Sequence, residues 1–180
     1  MKHSVKFRDI AKHELAIAKI ICDNQNIMRY MCYMTDDPLA ERTVNRKGEI
    51  VEQPDLDIDY KSAHISIQSF NNKILDTSHL SMFIHPLKGA LFANRTIGDI
   101  TYAIDIVCPE DFQVFDGKIE YRDYNIADEI CRDIDGKKIT GFGDVEIVDF
   151  NSGKLEQDYT FLTLFVRVRN FTLKGDCCDK

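Results

Sequence analysis

Apolar residues recur at near-helical spacing through the first third of the chain. Ile10, Ile17, Ile20, Ile21, Ile27, Met28 and Met31 are separated by polar residues, the pattern of helices that bury one face. The polar run at 23–26 interrupts it. Asp23 or Asn24 is suited to cap a second helix there, because a short side-chain oxygen accepts from the free N–H groups of a first turn. "TDDP" at 35–38 stops that helix, since proline cannot continue one. Met28, Met31 and Met34 read as a helix face packed on the chain's own core rather than as an adaptable partner surface. From 36 to 61 the pattern lapses. "AERTVNRKGEIVEQPDLDID" predicts a long polar loop, of a kind that is often functional or ordered against a partner.

From residue 62 the period becomes two. "SAHISIQSF" places Ile65 and Ile67 on one face, and "TYAIDIVC" continues the alternation through Tyr102, Ile104 and Ile106, with Asp105 on the opposite face beside Ala103 and Val107. Between them, the stretch holding His85-Pro86 and Gly89 reads as irregular. "YRDYNIADEICRDIDG" returns to helical spacing at Ala127, Ile130, Cys131 and Ile134, with Asp123 as N-cap and Gly136 just past the end. Gly141 and Gly143 predict a tight turn before the strand "DVEIVDF", and "NSGKLEQD" follows as a connector. The last strand, "YTFLTLFVRVRNF", puts Leu162, Leu164, Val166 and Val168 on one face. Phe161 and Phe165 share the other with Thr163, Arg167 and Arg169. A strand apolar on both sides is sandwiched or meets a partner subunit, and its two arginines call for carboxylates within the sheet or an interface.

This order predicts an α+β fold: N-terminal helices and one later helix packed on a mostly antiparallel sheet of four to five strands. The 180 residues suit one domain, helical over 1–35, a long loop over 36–61, a sheet with an inserted helix over 62–172 and a polar tail over 173–180.

The net charge of −7 and a pI near 5.2 argue against binding DNA through its phosphates, which needs clustered Lys and Arg. No run of about 18 apolar residues suggests a membrane span, and the charged N-terminus has no signal-peptide core. A cytoplasmic site of synthesis and reduced cysteines are the expectation. The six cysteines form no C-x-x-C pair, and the five histidines are scattered, so a structural zinc site is not expected. Cys177-Cys178 reads as an exposed, silent pair in the tail.

One stretch spells catalytic letters. "QPDLDIDYK" at 53–61 offers Pro54-Asp55 and Asp59-x-Lys61, as in metal-dependent nucleases that bring carboxylates and a lysine to one point. Asp55 and Asp59 are only four residues apart, whereas that signature sets its first Asp on a separate strand. Asp57, Asp59 and Lys61 could share a short strand's face, with Asp105 as the distant partner. A motif without its structural context is weak, and a small Mg-dependent nuclease using Asp55, Asp59 and Lys61 stands as the alternative reading. No phosphate-binding glycine motif or nucleophile elbow is present, and "GFGDVEI" leads into a strand rather than a helix. "PEDFQVFDGKIE" lacks the ligand ladder of a calcium loop and reads as a solvated acidic loop.

Several blocks together resemble a known family. They are "NQNIMRYMCYMTDDPL" (24–39), "QPDL" (53–56), "HISIQSFNN" (64–72), "TIGDITYAIDIVCPEDFQVFDGKIEYRDYNIADEI" (96–130), "DGKKITGFGDVEIVD" (135–149) and "YTFLTLFVRV" (159–168). In this order they resemble small neck proteins of tailed bacteriophages, of the tail-terminator or head-tail joining type. In that family "NQN", "DPL" with "QPD", a strand ending "D-I-x-C", and a "K-I-A-G-E-I" helix leading to "N-K-K-L-T-G-I-G" recur. Here "Y-N-I-A-D-E-I" and "G-K-K-I-T-G-F-G" occupy the last two places, and "AERTVNRKGEIVE" (40–52) separates "DPL" from "QPD". The resemblance implies a virion protein assembled in the host cytoplasm into a homo-oligomeric ring, commonly a hexamer. Such a ring ends the tail and joins it to the head, touching the tail tube protein and a head-completion or connector protein. It is no enzyme and carries no cofactor or metal, and DNA passes through its channel without specific binding. An acidic bore suits that passage, because like charge prevents adhesion. A cyclic ring needs two unlike complementary patches. The candidates are the Phe161/Phe165 face with Arg167 and Arg169, and the 39–61 loop with Pro54 and Asp55.

Overall fold

A computed structural model describes residues 8–45, 47–59, 61, 63–71, 75, 79–91, 97–115, 119–139, 144–155 and 158–169. Two helices open the described chain, α1 (Arg8–Asp23) and α2 (Gln25–Cys32). A ribbon of β1 (Arg42–Val44) and β2 (Ile50–Glu52) follows. Then come β3 (Ile65–Ser66), β4 (Ser81–Leu91), β5 (Ile97–Pro109), α3 (Glu110–Gln113), α4 (Arg122–Ile134), β6 (Val145–Leu155) and β7 (Tyr159–Val168). The main sheet has the order β3-β4-β5-β7-β6. Only the short β3–β4 pairing is parallel, while the other three are antiparallel. The α+β architecture with a mostly antiparallel sheet is therefore the one the periodicities predict.

Helices α1, α2 and α4 cover one face of this sheet. Ile17 and Ile21 of α1, Met28 and Met31 of α2, and Ile126 and Ile130 of α4 meet Ile84, Ile104, Ile106, Leu164 and Val166 in a single buried cluster. Each such side chain contributes about 1.5–3 kcal/mol by leaving water, so this layer carries the fold. Met28 and Met31 are core, as their spacing suggests, whereas Met34 lies past the end of α2 and is only partly buried against that core. Asn24 separates the first two helices and caps the second, its Oδ1 accepting from Asn26 N at 2.8 Å and Ile27 N at 3.2 Å. Gly136 follows α4 with φ +68°, the left-handed position that ends a helix cheaply only at glycine.

Six local expectations are corrected. The stretch holding His85-Pro86 and Gly89 is strand β4 (Ser81–Leu91), not irregular chain; Pro86 is tolerated because β3 pairs only with Met82 and Phe83, leaving the β4 edge open further along. The 62–70 strand shrinks to Ile65–Ser66, preceded by His64 with φ +58°. The 36–61 loop contains an antiparallel ribbon, in register Arg42↔Glu52, Thr43↔Val51 and Val44↔Ile50. The connector after residue 150 is strand through Leu155. Asp123 lies inside the first turn of α4, where Tyr121 is the N-cap. The acidic loop over 109–120 also contains a short helix, α3. The Gly141/Gly143 turn, the 173–180 tail and Cys177-Cys178 lie outside the described residues.

Candidate functional site

Three of the resembling blocks meet at one place. Gln25, Arg29 and Tyr33 stand four residues apart, at the start, in the middle and at the C-cap of α2, along one helical stripe. They bind the 53–56 segment in reverse order. Gln25 Nε2 donates to Leu56 O at 2.8 Å while its Oε1 accepts from Leu56 N at 2.9 Å. Arg29 Nη1 donates to Asp55 Oδ1 at 3.1 Å, and Tyr33 Oη donates to Pro54 O at 2.7 Å. "DPL" joins from the other side: Arg29 Nε donates to Pro38 O at 3.0 Å and Nη2 to Ala40 O at 2.6 Å. Buried Gln53 completes the clasp. Its Nε2 donates to Asp37 O and Ala40 O, its N to Glu41 O, and its Oε1 accepts from Thr35 Oγ1.

The two asparagines of "NQN" turn toward α4 instead. Asn24 Nδ2 donates to Glu129 Oε2 at 3.2 Å and Asp133 Oδ2 at 2.6 Å, and Asn26 Nδ2 donates to Glu129 Oε1 at 3.3 Å. "NQN" is thus a two-sided joint, with Gln25 holding "QPDL" and its neighbours holding α4. Beside the clasp lies a cleft of about 320 Å³ lined by Arg29, Glu41, Arg42, Glu52, Gln53, Pro54 and Asp55.

This geometry separates the nuclease letters. Asp55 lies against Arg29, its carboxylate 77% exposed. Residues 57–59 form no strand; Asp59 O accepts from Ala63 N and Lys61 O from His64 N, so a turn takes the place of a shared strand face for Asp57, Asp59 and Lys61. Asp105 sits in mid-β5 on the face away from the helices, as its alternation predicts. Both its oxygens are engaged there: Oδ2 lies 3.0 Å from His85 Nε2, and Oδ1 accepts from Thr163 Oγ1 at 2.6 Å. The sheet lies between Asp105 and the clasp. Among the described residues, no group of three or more His, Cys, Asp or Glu is placed to hold a metal ion.

The second face of the sheet holds the other candidates. Phe161, Thr163, Phe165 and Arg167 pair with Val107, Asp105, Ala103 and Thr101 of β5. Phe161 lies over Gly153 of β6, where an added Cβ would come within 2.9 Å of its ring. Phe70 meets Phe83 edge-on, with ring centroids 5.3 Å apart. A hollow of about 190 Å³ opens between Phe70, Asp105, Leu155, Phe161 and Thr163. Phe161 and Phe165 remain half-buried. The call for carboxylates is answered at Arg169, whose Nη2 lies 2.6 Å from Glu146 Oε2, while Arg167 stands across the ladder from that same Glu146.

Arg122 escapes notice in the sequence, hidden in an ordinary charged helix start. It is fully buried. Its guanidinium donates to Phe112 O, Tyr30 O, Tyr33 O and Thr35 O at 2.6–3.1 Å and lies 4.6 Å from the Phe115 ring centroid. A positive fork here satisfies the orphan carbonyls at the C-terminal end of α2, where the helix dipole is negative. Adjacent Asp123 is also buried, which raises its carboxyl above the ordinary range, although Gln113 Nε2 and Tyr124 N donate to it. Burial likewise pushes the Cys108 thiol up to about 12, unlike the depressed thiol of a nucleophile.

Among families of known proteins, the sequence profile named YomW matches residues 24–168, most of the chain and all of the main sheet. No curated protein matches the chain.

Proposed function

The chain belongs to the YomW family, a Bacillus phage-type protein family, and from that premise we propose that it is a structural virion protein of the neck. In this reading copies of the chain form a ring at the head-tail junction. The ring ends the tail and presents surfaces to the tail tube and to a head-completion or connector protein, and it works without catalysis. The observation that carries it is the clasp. The blocks by which the sequence resembles neck proteins, "NQN", "DPL" and "QPD", converge on α2 through backbone and side-chain bonds, as parts of a positioning device rather than of a reaction centre. The half-buried Phe161 and Phe165 offer a further contact face, and the charge of −7 suits a bore through which DNA slides.

The test is mass in solution together with negative-stain images of the purified protein, in which closed rings are expected. Phe165→Ala should weaken ring formation more than it lowers the melting temperature; rings of undiminished stability remove this face from the interface. Mg-dependent DNA cleavage that is lost in Asp59→Ala would overturn the proposal in favour of a nuclease.

A further inference from the structure

Exposed large apolar residues gather in two unlike places. One is the β1–β2 ribbon. None of its strand residues is buried, and its last pair, Val44 and Ile50, leaves 56% and 76% of each residue in water. An isolated two-stranded ribbon is marginal in water, yet this one is built firmly at both ends. At the tip, Asn45 Oδ1 accepts from Lys47 N and Glu49 N, and Gly48 adopts φ +80°. At the base, the clasp fixes Gln53, Ala40 and Glu41 to α2. The ribbon is therefore an arm held out from the body with an apolar end.

The other place is the N-terminal end of α4 with the adjoining edge strand β6. Val114 and Tyr121 form a bridge, the Tyr121 and Tyr124 rings lie 5.7 Å apart, and Tyr124 Oη reaches Ser152 Oγ at 3.3 Å. Phe150 follows on the same side of β6 with 61% exposure, and Ile119 is wholly exposed. Exposed Glu120 and Asp128 flank the tyrosines. The sequence between the two strands, 45–49, reads N-R-K-G-E, a net charge of +1 (two cations, one acid) within a chain of net charge −7. An apolar end with a basic tip faces its complement in an apolar patch with an acidic rim.

We propose that the β1–β2 arm of one copy docks on the α4–β6 patch of the next copy, Val44 and Ile50 covering Tyr121, Tyr124 and Phe150. This rests on the ring reading and names its joint. The two surfaces differ, so the contact is head-to-tail and every open assembly still offers one free arm at one end and one free patch at the other, as a ring requires.

Ile50→Glu disables the arm and Phe150→Glu the patch; both side chains are exposed, so unchanged melting curves are expected. By sedimentation velocity the wild type should form large assemblies. Each variant alone should fall to the 20.8 kDa monomer, its self-association weakened roughly a hundredfold. Mixed together, the two variants should give dimers and nothing larger. The sound arm of the Phe150→Glu chain docks on the sound patch of the Ile50→Glu chain, leaving only two defective surfaces. Val44→Glu with Tyr124→Glu repeats the test at independent positions. Variants that still assemble alone, or a mixture that stays monomeric, overturn the docking while leaving a ring built some other way. A monomeric wild type overturns both.

Discussion

Arg122→Met is the sharpest perturbation of this fold. Methionine keeps most of the apolar stem but removes four donated bonds, to Phe112 O, Tyr30 O, Tyr33 O and Thr35 O, and the contact with Phe115. A bond from a charged donor is worth about 1.5–3 kcal/mol and a stranded buried acceptor costs about as much. The four share one side chain and are not additive. Carbonyls near the end of α2 also regain some water, so the net loss should be about 4 kcal/mol. Against a typical stability of about 5–15 kcal/mol this is severe, and at about 2–4 °C per kcal/mol it lowers the melting temperature by on the order of 10 °C. Arg122→Lys keeps the charge but not the planar fork and should lose about half as much. Urea denaturation monitored by circular dichroism measures both. A Met variant within about 1 kcal/mol of wild type at unchanged m-value would refute the role assigned to the guanidinium. Equal losses for Met and Lys would show that the fork geometry is immaterial.

Arg29→Ala should cost about 2 kcal/mol through the carbonyls of Pro38 and Ala40, whereas Asp55→Ala, removing a largely exposed carboxylate, should stay within about 0.5 kcal/mol; equal urea midpoints would place the clasp's strength in the ion pair instead. Gly153→Val drives a branched side chain into the Phe161 ring and should cost about 1 kcal/mol, most of it recovered in a Phe161→Ala background; strictly additive losses in the double-mutant cycle would refute the contact. Burial raises the Asp123 carboxyl above its ordinary 3.8, so its stabilising share is complete below that value and is lost as pH rises through the raised one. Asp123→Asn, which has no such titration, should therefore gain stability relative to wild type between about pH 3.5 and pH 7; a constant gap between the two urea midpoints would refute this.

Where a residue's neighbours lie close in sequence, the chain is readable. The stripes of α1, α2 and α4, the cap at Asn24, the helix end at Gly136 and the alternation through β5 and β7 follow from local spacing. Strand β4 was hidden because Pro86 and Gly89 break a local pattern that only the open sheet edge makes tolerable. The ribbon was hidden because Val44 and Ile50 are its apolar pair and neither is covered, so no alternation toward a core could mark it. The clasp lay in plain sight as two lists, Gln25-Arg29-Tyr33 and Leu56-Asp55-Pro54. Nothing local says that the first is a helical stripe running antiparallel to the second. Arg122 carried no signal at all, since its partners are backbone carbonyls that every residue possesses.

The extent of the family match sharpens what these parts have in common. It begins at Asn24, the cap of α2, and ends at Val168, the last residue of β7. Helix α1 falls outside it, although Ile17 and Ile21 fill the core and His13 Nδ1 lies 2.7 Å from Tyr102 Oη. The matched region contains α2, the clasp, the arm, the whole main sheet and α4, which is to say both surfaces of the proposed joint and everything that fixes their relative placement. The arm is tied to α2 through Arg29 and Gln53, α2 to α4 through Asn24 and Arg122, and α4 to β6 through Tyr124 and Asp135, whose Oδ1 accepts from Ile147 N. Two unlike surfaces on one copy can close a ring only if the angle between them is held. The buried guanidinium of Arg122 and the "NQN" joint hold it, and a substitution at either should therefore change the geometry of assembly as well as the stability of the monomer.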